Sequence, residues 1–376
     1  MPLSRILVVG NYLPDHQQSM IRFAHLLATF YDPVADVRLV KPFVFVGRLS
    51  FLPQLLKKYL AYIDKLILFP IWLSIRSRSY DLVHIADHGN SPYAFCCPPH
   101  KCIITCHDLL AVRASMGDST TACEASPTGA LLQKLILAGL RRAHSLTFVS
   151  QATFDDFLRI AGRPFGQRHA VIPNSLNAPF SSDISTIALS PEEQSILPAS
   201  PFILMVGSSH PRKNRRLALR LLLELGNSSP YIVVFAGETL SPDDQSFILE
   251  HNLASRVQVI VCPSHALLNK LYILSHALLF PSFAEGFGWP LIEAQACGSP
   301  VIASCTTSIP EVAGNGALFA DPLDVATFAL YVRSLEDPDL RSRLIHNGFS
   351  NIRRFDPQLI KASFTAFALD PMQSTL

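Results

Sequence analysis

The segment Pro281–Ser304, PSFAEGFGWPLIEAQACGSPVIAS, constrains the fold of this chain more than any other stretch of its 376 residues. It follows an apolar run, Ala277–Phe280, and the pattern predicts a buried strand, a glycine-punctuated loop, a helix and a second short strand. Pro290 suits the first turn of that helix, where its missing N–H is not needed, and Gly298 suits the left-handed residue that ends it. Strand, loop, helix and strand in this order form one unit of a parallel α/β sheet.

Two carboxylates frame this loop, Glu285 before the glycines and Glu293 one turn into the helix. Ligands of parallel sheets bind beyond the carboxyl ends of the strands, where the loop and the helix start lie. The backbone N–H groups of Phe287 and Gly288 lie close to the helix start and suit a phosphate. Because carboxylates repel phosphate, we expect the two glutamates to accept hydrogen bonds from hydroxyl groups. A nucleotide-sugar is a ligand of this kind, because it carries both hydroxyl groups and phosphate.

Composition limits the partners of the chain. Hydrophobic residues make up 49% and charged residues 16%, which fits strands buried on both faces. A net charge of +2 does not indicate a nucleic-acid partner. The eight cysteines match no common zinc spacing, and the one Asp-x-Asp, Asp337–Asp339, falls in a predicted helix–helix turn, so no metal site is predicted. No signal peptide is expected before the first strand, and the apolar run Leu66–Leu73 is shorter than the about 20 residues that span a bilayer, which predicts a cytoplasmic protein.

The 24-residue segment resembles the E-x7-E signature of retaining GT-B glycosyltransferases, and it is most similar to family 4, the glycosyl transferases group 1. Two further stretches support the resemblance: Val206–Asn214 resembles the V-G-x(n)-P-R-K-N element of that family, and ITCHDLL, residues 104–110, resembles its strand-then-His-Asp element. Ala170–Asn174 resembles the V-I-P-N-G element, although Ser175 replaces the glycine.

The resemblance implies an α/β GT-B fold, with two Rossmann-like domains facing a central cleft. Residues 1–175 are then the acceptor-binding domain, residues 176–200 a linker, and residues 201–350 the nucleotide-sugar-binding domain. Residues 351–376 would form a helix that returns to the N-terminal domain.

The resemblance also implies roles for individual residues. Arg212 and Lys213 would hold the donor phosphates and stabilise the departing nucleotide. Glu285 would accept hydrogen bonds from the sugar, Glu293 from the ribose, and His107 would contact the sugar from the opposite domain. The predicted catalytic residues are His107, Arg212, Lys213 and Glu285; the predicted donor-binding residues are Gly10, Phe287, Gly288, Trp289, Leu291 and Glu293.

Three residues near strand ends leave alternatives open. Gly10 follows the predicted first strand and either admits the donor phosphates or simply ends the strand. Asp87 and His88 follow another predicted strand and either contact the acceptor or serve the structure.

The implied activity is a retaining, metal-independent hexosyltransferase, with mannosyl transfer favoured, in bacterial polysaccharide biosynthesis. Its co-substrate would be a GDP- or UDP-sugar, with no other cofactor, and its acceptor a glycan or a lipid-linked glycan. Two alternatives are a nucleotide-sugar epimerase or hydrolase of the same fold and a non-catalytic nucleotide-sugar-binding protein.

Residues 48–78 combine apolar residues at helical spacing with interspersed lysines, followed by LILFPIWLSIRSR. This pattern fits a core-facing helix pair of the N-terminal domain. It also fits a basic amphipathic surface that would lie on the inner face of the membrane and bring the enzyme to a lipid-linked acceptor.

Overall fold

A computed structural model describes residues 4–369, except residue 16 and residues 46–60, 124–125, 163–166 and 177. The chain divides into two units, each with its own six-stranded sheet. The N-terminal unit comprises residues 1–117, 124–177 and 357–376, and the C-terminal unit comprises residues 118–123 and 178–356.

The N-terminal unit is built on a parallel sheet whose strands are β1 Ser4–Val9, β2 Ala35–Val40, β3 Leu82–Ile85, β4 Cys102–Cys106, β5 Ser145–Phe148 and β6 Arg168–Val171. They pair in the order β2-β1-β3-β4-β5-β6. Along β1, Ile6 and Val8 pack on one face of the sheet, whereas Leu7 and Val9 pack on the other. All four side chains are fully buried, which explains why the strand is a continuous apolar run in the sequence.

Helices cover both faces of this sheet. In chain order they are α1 Gln18–Tyr31, α2 Phe69–Arg76, α3 Leu110–Ser115, α4 Pro127–Arg142 and α5 Gln151–Ala161. Phe23 and Leu27 of α1 pack with Ile6 and Val8 on one face. Helices α2 and α4 contribute to the hydrophobic cluster on the other face.

The C-terminal unit repeats the architecture with strands β7 Phe202–Gly207, β8 Ile232–Gly237, β9 Val257–Val261, β10 Ala277–Phe280, β11 Val301–Ser304 and β12 Ala317–Ala320. These strands are also parallel and pair in the order β12-β11-β10-β7-β8-β9. The accompanying helices are α6 Pro191–Ser195, α7 Arg215–Leu225, α8 Pro242–Glu250, α9 His265–Leu274, α10 Trp289–Ala296, α11 Ile309–Ala313, α12 Val325–Ser334 and α13 Pro338–Ile352.

The last helix, α14 Pro357–Leu369, belongs to the N-terminal unit. Its Phe364 is fully buried, with ring centroids 6.0 Å from Phe23 and 6.1 Å from Phe30 of α1. The Arg168 guanidinium of β6 also donates to the Phe367 carbonyl at 3.0 Å. Apolar packing and this hydrogen bond together hold the helix against the first sheet.

Each sheet contains one point where the strand order reverses. In the N-terminal sheet β1 lies between β2 and β3, and in the C-terminal sheet β7 lies between β8 and β10. The loops that leave the two strands at such a point run in opposite directions, and a crevice opens between them at the carboxyl ends of the strands. The two crevices lie after β1 and β3 in one unit and after β7 and β10 in the other.

The predicted α/β fold with two Rossmann-like sheets is confirmed, as are the elements of the Pro281–Ser304 segment. Strand β10 has the predicted bounds, α10 begins one residue before Pro290, and β11 follows. Gly298 has φ +71°, the left-handed conformation predicted for the end of this helix.

The region 48–78 is described from residue 61 onward, so the prediction for residues 48–60 lies outside the described residues. Residues Asp64–Leu68 form a π-helical segment that continues into α2. Phe69 and Leu73 are fully buried in the core, whereas Ile67, Ile71 and Ile75 are 52%, 58% and 72% exposed. The described part is therefore core-facing on one side and apolar but solvent-facing on the other. Within the described residues, no helix has the length and apolarity needed to cross a bilayer.

Candidate active site

A short turn after β7 presents two cations at the crevice of the C-terminal sheet. Residues Pro211–Lys213 form a 3₁₀ turn, and Asn214 follows in the left-handed conformation at φ +54°. The Asn214 amide donates to the carbonyl oxygen of Pro281 at 3.1 Å and to that of Pro322 at 2.7 Å. These bonds fasten the turn after β7 to the loop after β10.

One carboxylate bridges both cations. Arg212 Nη1 lies 2.5 Å from Glu285 Oε2, and Lys213 Nζ lies 2.6 Å from Glu285 Oε1. Arg212 also donates to the carbonyl oxygen of Ala284 at 3.1 Å. We call these three charged residues the Glu285 ion cluster. The structure thus brings together three of the four predicted catalytic residues at the switch point of the second sheet.

The ion cluster changes the protonation behaviour of its members. Burial by itself would raise the pKa of Glu285, but the charges of Lys213 and Arg212 and the Lys213 hydrogen bond outweigh it and lower the pKa to about 2. Burial lowers the pKa of Lys213, with a further contribution from the Arg212 charge. Glu285 is therefore ionised at neutral pH and neutralises part of a dense positive charge.

Two hydroxyl residues, which the sequence did not single out, hold the loop that carries Glu285. The backbone N–H of Glu285 donates to Thr307 Oγ1 at 2.9 Å, and the Glu285 carbonyl oxygen accepts from Ser308 Oγ at 2.9 Å. Thr307 itself has φ +51°. The available signal was the Thr-Thr-Ser run just beyond β11, the strand beside β10.

The start of α10 offers backbone donors beside the ion cluster. Gly288 has φ +99°, and a Cβ atom there would lie 3.0 Å from Leu291 Cδ1, so glycine is needed on both grounds. Among the described residues, no hydrogen bond engages the backbone N–H of Phe287 or Gly288. Leu291 is buried, and its N–H donates to the Gly288 carbonyl at 3.0 Å, so it supports the loop from inside the protein. Trp289 is half-buried against the Phe287 ring.

Glu293 is as buried as Glu285 and has a different partner. It is 6% exposed, and Tyr272 donates its hydroxyl to Glu293 Oε2 at 2.8 Å. Burial and the neighbouring Glu293 charge raise the pKa of Tyr272 well above its ordinary value. Sequence reasoning did not identify Tyr272, since a tyrosine within the apolar helix HALLNKLYIL reads as a core residue. The predicted contact of Glu293 with a ribose stays a prediction.

Arg215, directly after the two predicted cations, was also missed. It is buried, and its guanidinium donates to the carbonyl oxygens of Gly207, Glu238 and Thr239 at 2.6, 3.0 and 2.9 Å. These carbonyls lie at or just beyond the carboxyl ends of β7 and β8, so Arg215 joins the two strand ends. The sequence signal was a third basic residue within HPRKNRR.

His107 lies in the N-terminal unit, immediately after β4. It is 5% exposed, its Nε2 donates to the Ala86 carbonyl at 3.0 Å, and its ring packs edge-on against Phe23 at 4.5 Å. Burial lowers the pKa of His107, so the imidazole is neutral at physiological pH. Its predicted contact with a donor sugar stays a prediction.

A cavity of about 390 Å³ opens beside His107, at the crevice between β1 and β3. Its lining includes Asn11, Asp87, His88 and Asp108. Asp87 Oδ1 lies 3.2 Å from His88 Nδ1, and Asp108 Oδ1 lies 3.9 Å from His88 Nε2. Burial alone would lower the pKa of His88, but the bond to Asp87 and the two carboxylate charges raise it above its ordinary value. We call this space the N-terminal cavity.

Gly10 precedes Asn11 but is not among the residues that line the cavity. A Cβ atom at Gly10 would lie 3.2 Å from Ala24 Cβ of α1. The absence of a side chain therefore lets the helix approach the end of β1. A role in donor binding stays a prediction. Among the described residues, no group of three or more histidine, cysteine or acidic side chains is arranged to hold a metal ion.

The Glu285 ion cluster predicts a measurable energetic coupling. Glu285→Gln leaves two cations side by side in a partly buried site, so we expect a loss of about 3–5 kcal/mol in the free energy of unfolding of the C-terminal unit. The double variant Lys213→Met/Glu285→Gln should be clearly more stable than the sum of the single effects. Urea unfolding in a Trp72→Phe background makes Trp289 the fluorescent reporter of this unit, since the chain has two tryptophans.

Exposed Glu250→Gln on α8 is the matched control, with an expected change within about 0.5 kcal/mol. Because the pKa of Glu285 falls from 4.5 to about 2 on folding, the wild-type advantage over Glu285→Gln should be complete above pH 4.5 and disappear as the pH falls through about 2. Additive single and double effects would contradict the coupling.

Part of the chain matches a known protein family. Residues 189–351 match the family described as Glycosyl transferases group 1. Over 159 residues the chain is 32% identical to O-antigen chain mannosyltransferase B of Escherichia coli. The matched stretch covers 41% of this chain and 42% of that protein. Over 157 residues it is 32% identical to O-antigen chain mannosyltransferase RfbU of Salmonella typhimurium, covering 41% of this chain and 43% of that protein. The chain thus spans less than half the length of these two relatives.

Solved structures extend the likeness to nearly the whole fold. Sucrose-phosphate synthase from Thermosynechococcus elongatus superposes with a TM-score of 0.71 at 18% identity, covering 96% of this chain and 97% of that one. Anabaena HepE in complex with UDP-glucose superposes with a TM-score of 0.70 at 16% identity, covering 98% of this chain and 100% of that one. Residues 189–351 therefore match the group 1 glycosyl transferases, in a chain that has the GT-B fold of two Rossmann-like domains.

Proposed function

We propose that this chain is a retaining, metal-independent glycosyltransferase that moves a hexose, with mannose favoured, from a nucleotide-sugar to a glycan acceptor in polysaccharide synthesis. The observation that carries the proposal is the Glu285 ion cluster at the switch point of the second sheet. Two relatives named as O-antigen chain mannosyltransferases support the class of reaction and favour mannose. The HepE complex with UDP-glucose supports a nucleotide-sugar as donor. A GDP- or UDP-sugar is proposed as the donor here.

The donor diphosphate is proposed to bind at the ion cluster. Its negative charge competes with Glu285 for Arg212 and Lys213, and the N–H groups of Phe287 and Gly288 supply further donors at a helix start. When the bond between the sugar C1 and the phosphate oxygen breaks, that oxygen takes the electron pair. Cations held in place before the reaction stabilise this developing charge, which is the largest contribution a protein makes to such a step.

The other predicted residues contact hydroxyl groups in this scheme. Glu285, released from part of its pairing, accepts from a sugar hydroxyl, and Glu293, held by Tyr272, accepts from the ribose. His107 contacts the donor sugar as the family resemblance implies. The acceptor hydroxyl forms the new bond at C1, and its proton passes to the departing phosphate. No protein nucleophile is assigned.

The N-terminal cavity favours transfer over the two alternative functions. An epimerase or hydrolase needs no second organic substrate, and a nucleotide-sugar-binding protein needs no acceptor site. A cavity of about 390 Å³, lined by both apolar and polar side chains and lying in a different unit from the ion cluster, gives an acceptor a place to bind. This size falls within the ~300–1,000 Å³ typical of small-molecule sites.

Donor binding is the first expected outcome. In a thermal-shift panel of GDP-mannose, UDP-glucose, UDP-N-acetylglucosamine and dTDP-rhamnose, GDP-mannose at about 100 times its Kd should raise the melting temperature by about 5 °C or more. Lys213→Met and Glu293→Gln should reduce the rise, each measured against its own midpoint. Glu250→Gln should respond like the wild type. No response to any nucleotide-sugar, or equal responses in all variants, would refute the donor site.

Transfer itself gives the second outcome. With GDP-mannose and a mannoside acceptor in excess EDTA, we expect an α-linked product, identified by the one-bond C–H coupling at the anomeric carbon. Lys213→Met should lower kcat by about 10²–10³-fold, the usual cost of losing a charge-stabilising donor. A β-linked product would contradict retention. Loss of activity in EDTA with recovery in Mg²⁺ would contradict metal independence.

The exposed apolar face formed by Ile67, Ile71 and Ile75 supports peripheral attachment to the inner face of the membrane. The three side chains recur every four residues and so share one side of the helical segment. Exposed Arg76 and Arg78 follow at its end, where they can meet anionic headgroups. Leu66, next to this face, also lines the N-terminal cavity, so a lipid-linked acceptor could be presented close to it.

Vesicle co-sedimentation tests this attachment. The wild type should sediment with phosphatidylglycerol vesicles and less with phosphatidylcholine, and Ile71→Ser/Ile75→Ser should lower binding at least about tenfold. Leu249→Ser/Leu330→Ser, which removes two leucines that are 73% and 57% exposed in the C-terminal unit, should leave binding unchanged. An equal loss of vesicle binding in both double variants, or no vesicle binding by the wild type, would refute the membrane attachment. Neither result would bear on the transferase proposal.

A further inference from the structure

Given the glycosyltransferase activity proposed above, on which this inference rests, we infer that the N-terminal cavity takes an uncharged sugar residue as acceptor and excludes a phosphorylated or otherwise anionic one. The inference depends on the charges that line the cavity and on two buried amide atoms.

The charges of the cavity are mainly negative. Among the described residues that line it, the carboxylates are Asp15, Asp87 and Asp108, the one lysine is Lys65, and there is no arginine. Lys65 Nζ lies 2.5 Å from Asp15 Oδ2, so this cation is already neutralised. His88 lies between the other two carboxylates. A phosphate group entering this space would meet carboxylates and no unengaged lysine or arginine of the described lining.

The carboxylates are held in place by donors from the protein. Asn11 Nδ2 donates to Asp87 Oδ2 at 2.5 Å, and the backbone N–H of Gly89 donates to Asp87 Oδ1 at 3.0 Å. The Asp108 side chain is 34% exposed and accepts from the Leu110 N–H at 3.1 Å through Oδ1. A carboxylate has about four acceptor positions, so these groups keep capacity for hydroxyl donors from a ligand.

Two amide atoms at the cavity also lack partners. In the described part of the chain, neither Asn11 Oδ1 nor Asn90 Nδ2 has a hydrogen bond, although the two side chains are only 3% and 9% exposed. Leaving such a group unsatisfied costs about 1–3 kcal/mol. One atom is an acceptor and the other a donor. A sugar hydroxyl both donates and accepts and so suits either atom once its side chain turns toward the ligand, whereas a phosphate dianion only accepts and does not suit Asn11 Oδ1.

Paired ligands that differ in one phosphate test the inference. Binding of methyl α-mannoside and methyl α-mannoside 6-phosphate, and of methyl α-glucoside and methyl α-glucoside 6-phosphate, is measured by NMR on the full chain through the side-chain amide signals of Asn11 and Asn90. At least one neutral glycoside should shift these signals and bind at least tenfold more tightly than its phosphorylated partner. Equal or tighter binding of the phosphorylated sugars, or no shift with either neutral glycoside, overturns the inference.

The same samples are tested for a thermal shift with nucleotide-sugars. Donor binding without neutral-glycoside binding overturns only the acceptor inference, whereas absence of donor binding refutes the proposed function as well. This readout separates the two failures because the donor diphosphate is assigned to the Glu285 ion cluster and the acceptor to the N-terminal cavity.

A charge-matched pair of variants tests the cause. Asp15→Asn removes the partner of Lys65, so the affinity for methyl α-mannoside 6-phosphate should rise by about three- to fivefold, the size of an exposed ion-pair interaction. Asp36→Asn removes the same charge from an exposed position on β2 and should change nothing. An equal rise in both variants would show that the net charge of the protein, and not the charges of the cavity, determines the affinity for the phosphorylated sugar. That result would overturn the inference.

Discussion

The reversal of strand order at β1 and at β7 is the constraint on which both sites depend. In a parallel sheet every strand ends at the same edge, but only at a reversal do neighbouring loops diverge and leave room for a ligand. The turn after β7 and the loop after β10 meet there and form the Glu285 ion cluster. Asn11 after β1 and Asp87 after β3 meet at the equivalent place in the first sheet and are hydrogen-bonded.

The two sites have opposite electrostatic character. At the second sheet two cations share one carboxylate, so the local net charge is positive and suits a diphosphate. At the first sheet three carboxylates share one lysine and a histidine whose pKa is raised, so the balance suits neutral hydroxyl groups. The same topology therefore supports one site that suits the proposed anionic donor and another that suits the proposed uncharged acceptor.

What the sequence could predict follows from the range of the interactions involved. The elements around Glu285 were predictable because apolar runs, glycines and a proline act over a few residues. Tyr272, Thr307 and Arg215 were missed because their contacts join segments that are distant in sequence, and a tyrosine or a threonine carries no local signal of such a partner. The contacts of Asp87 and His88 required the order of the strands, which no residue pattern supplies. Residues 46–60 lie outside the described chain.

Glu285 also provides Arg212 and Lys213 with an anionic partner from the protein itself. A pair of partly buried cations without a partner would attract any phosphate or sulfate in solution, and here each such ion has to displace a tethered carboxylate that is already in contact with both. In the proposed reaction, a ligand with a single anionic group would gain little from that exchange, whereas a nucleotide-sugar would also gain contacts through its ribose and sugar hydroxyls. After transfer of the sugar, the same carboxylate would compete with the remaining nucleotide for the two cations. Under the proposed function, one side chain would thus provide both selectivity against simple anions and departure of the spent nucleotide.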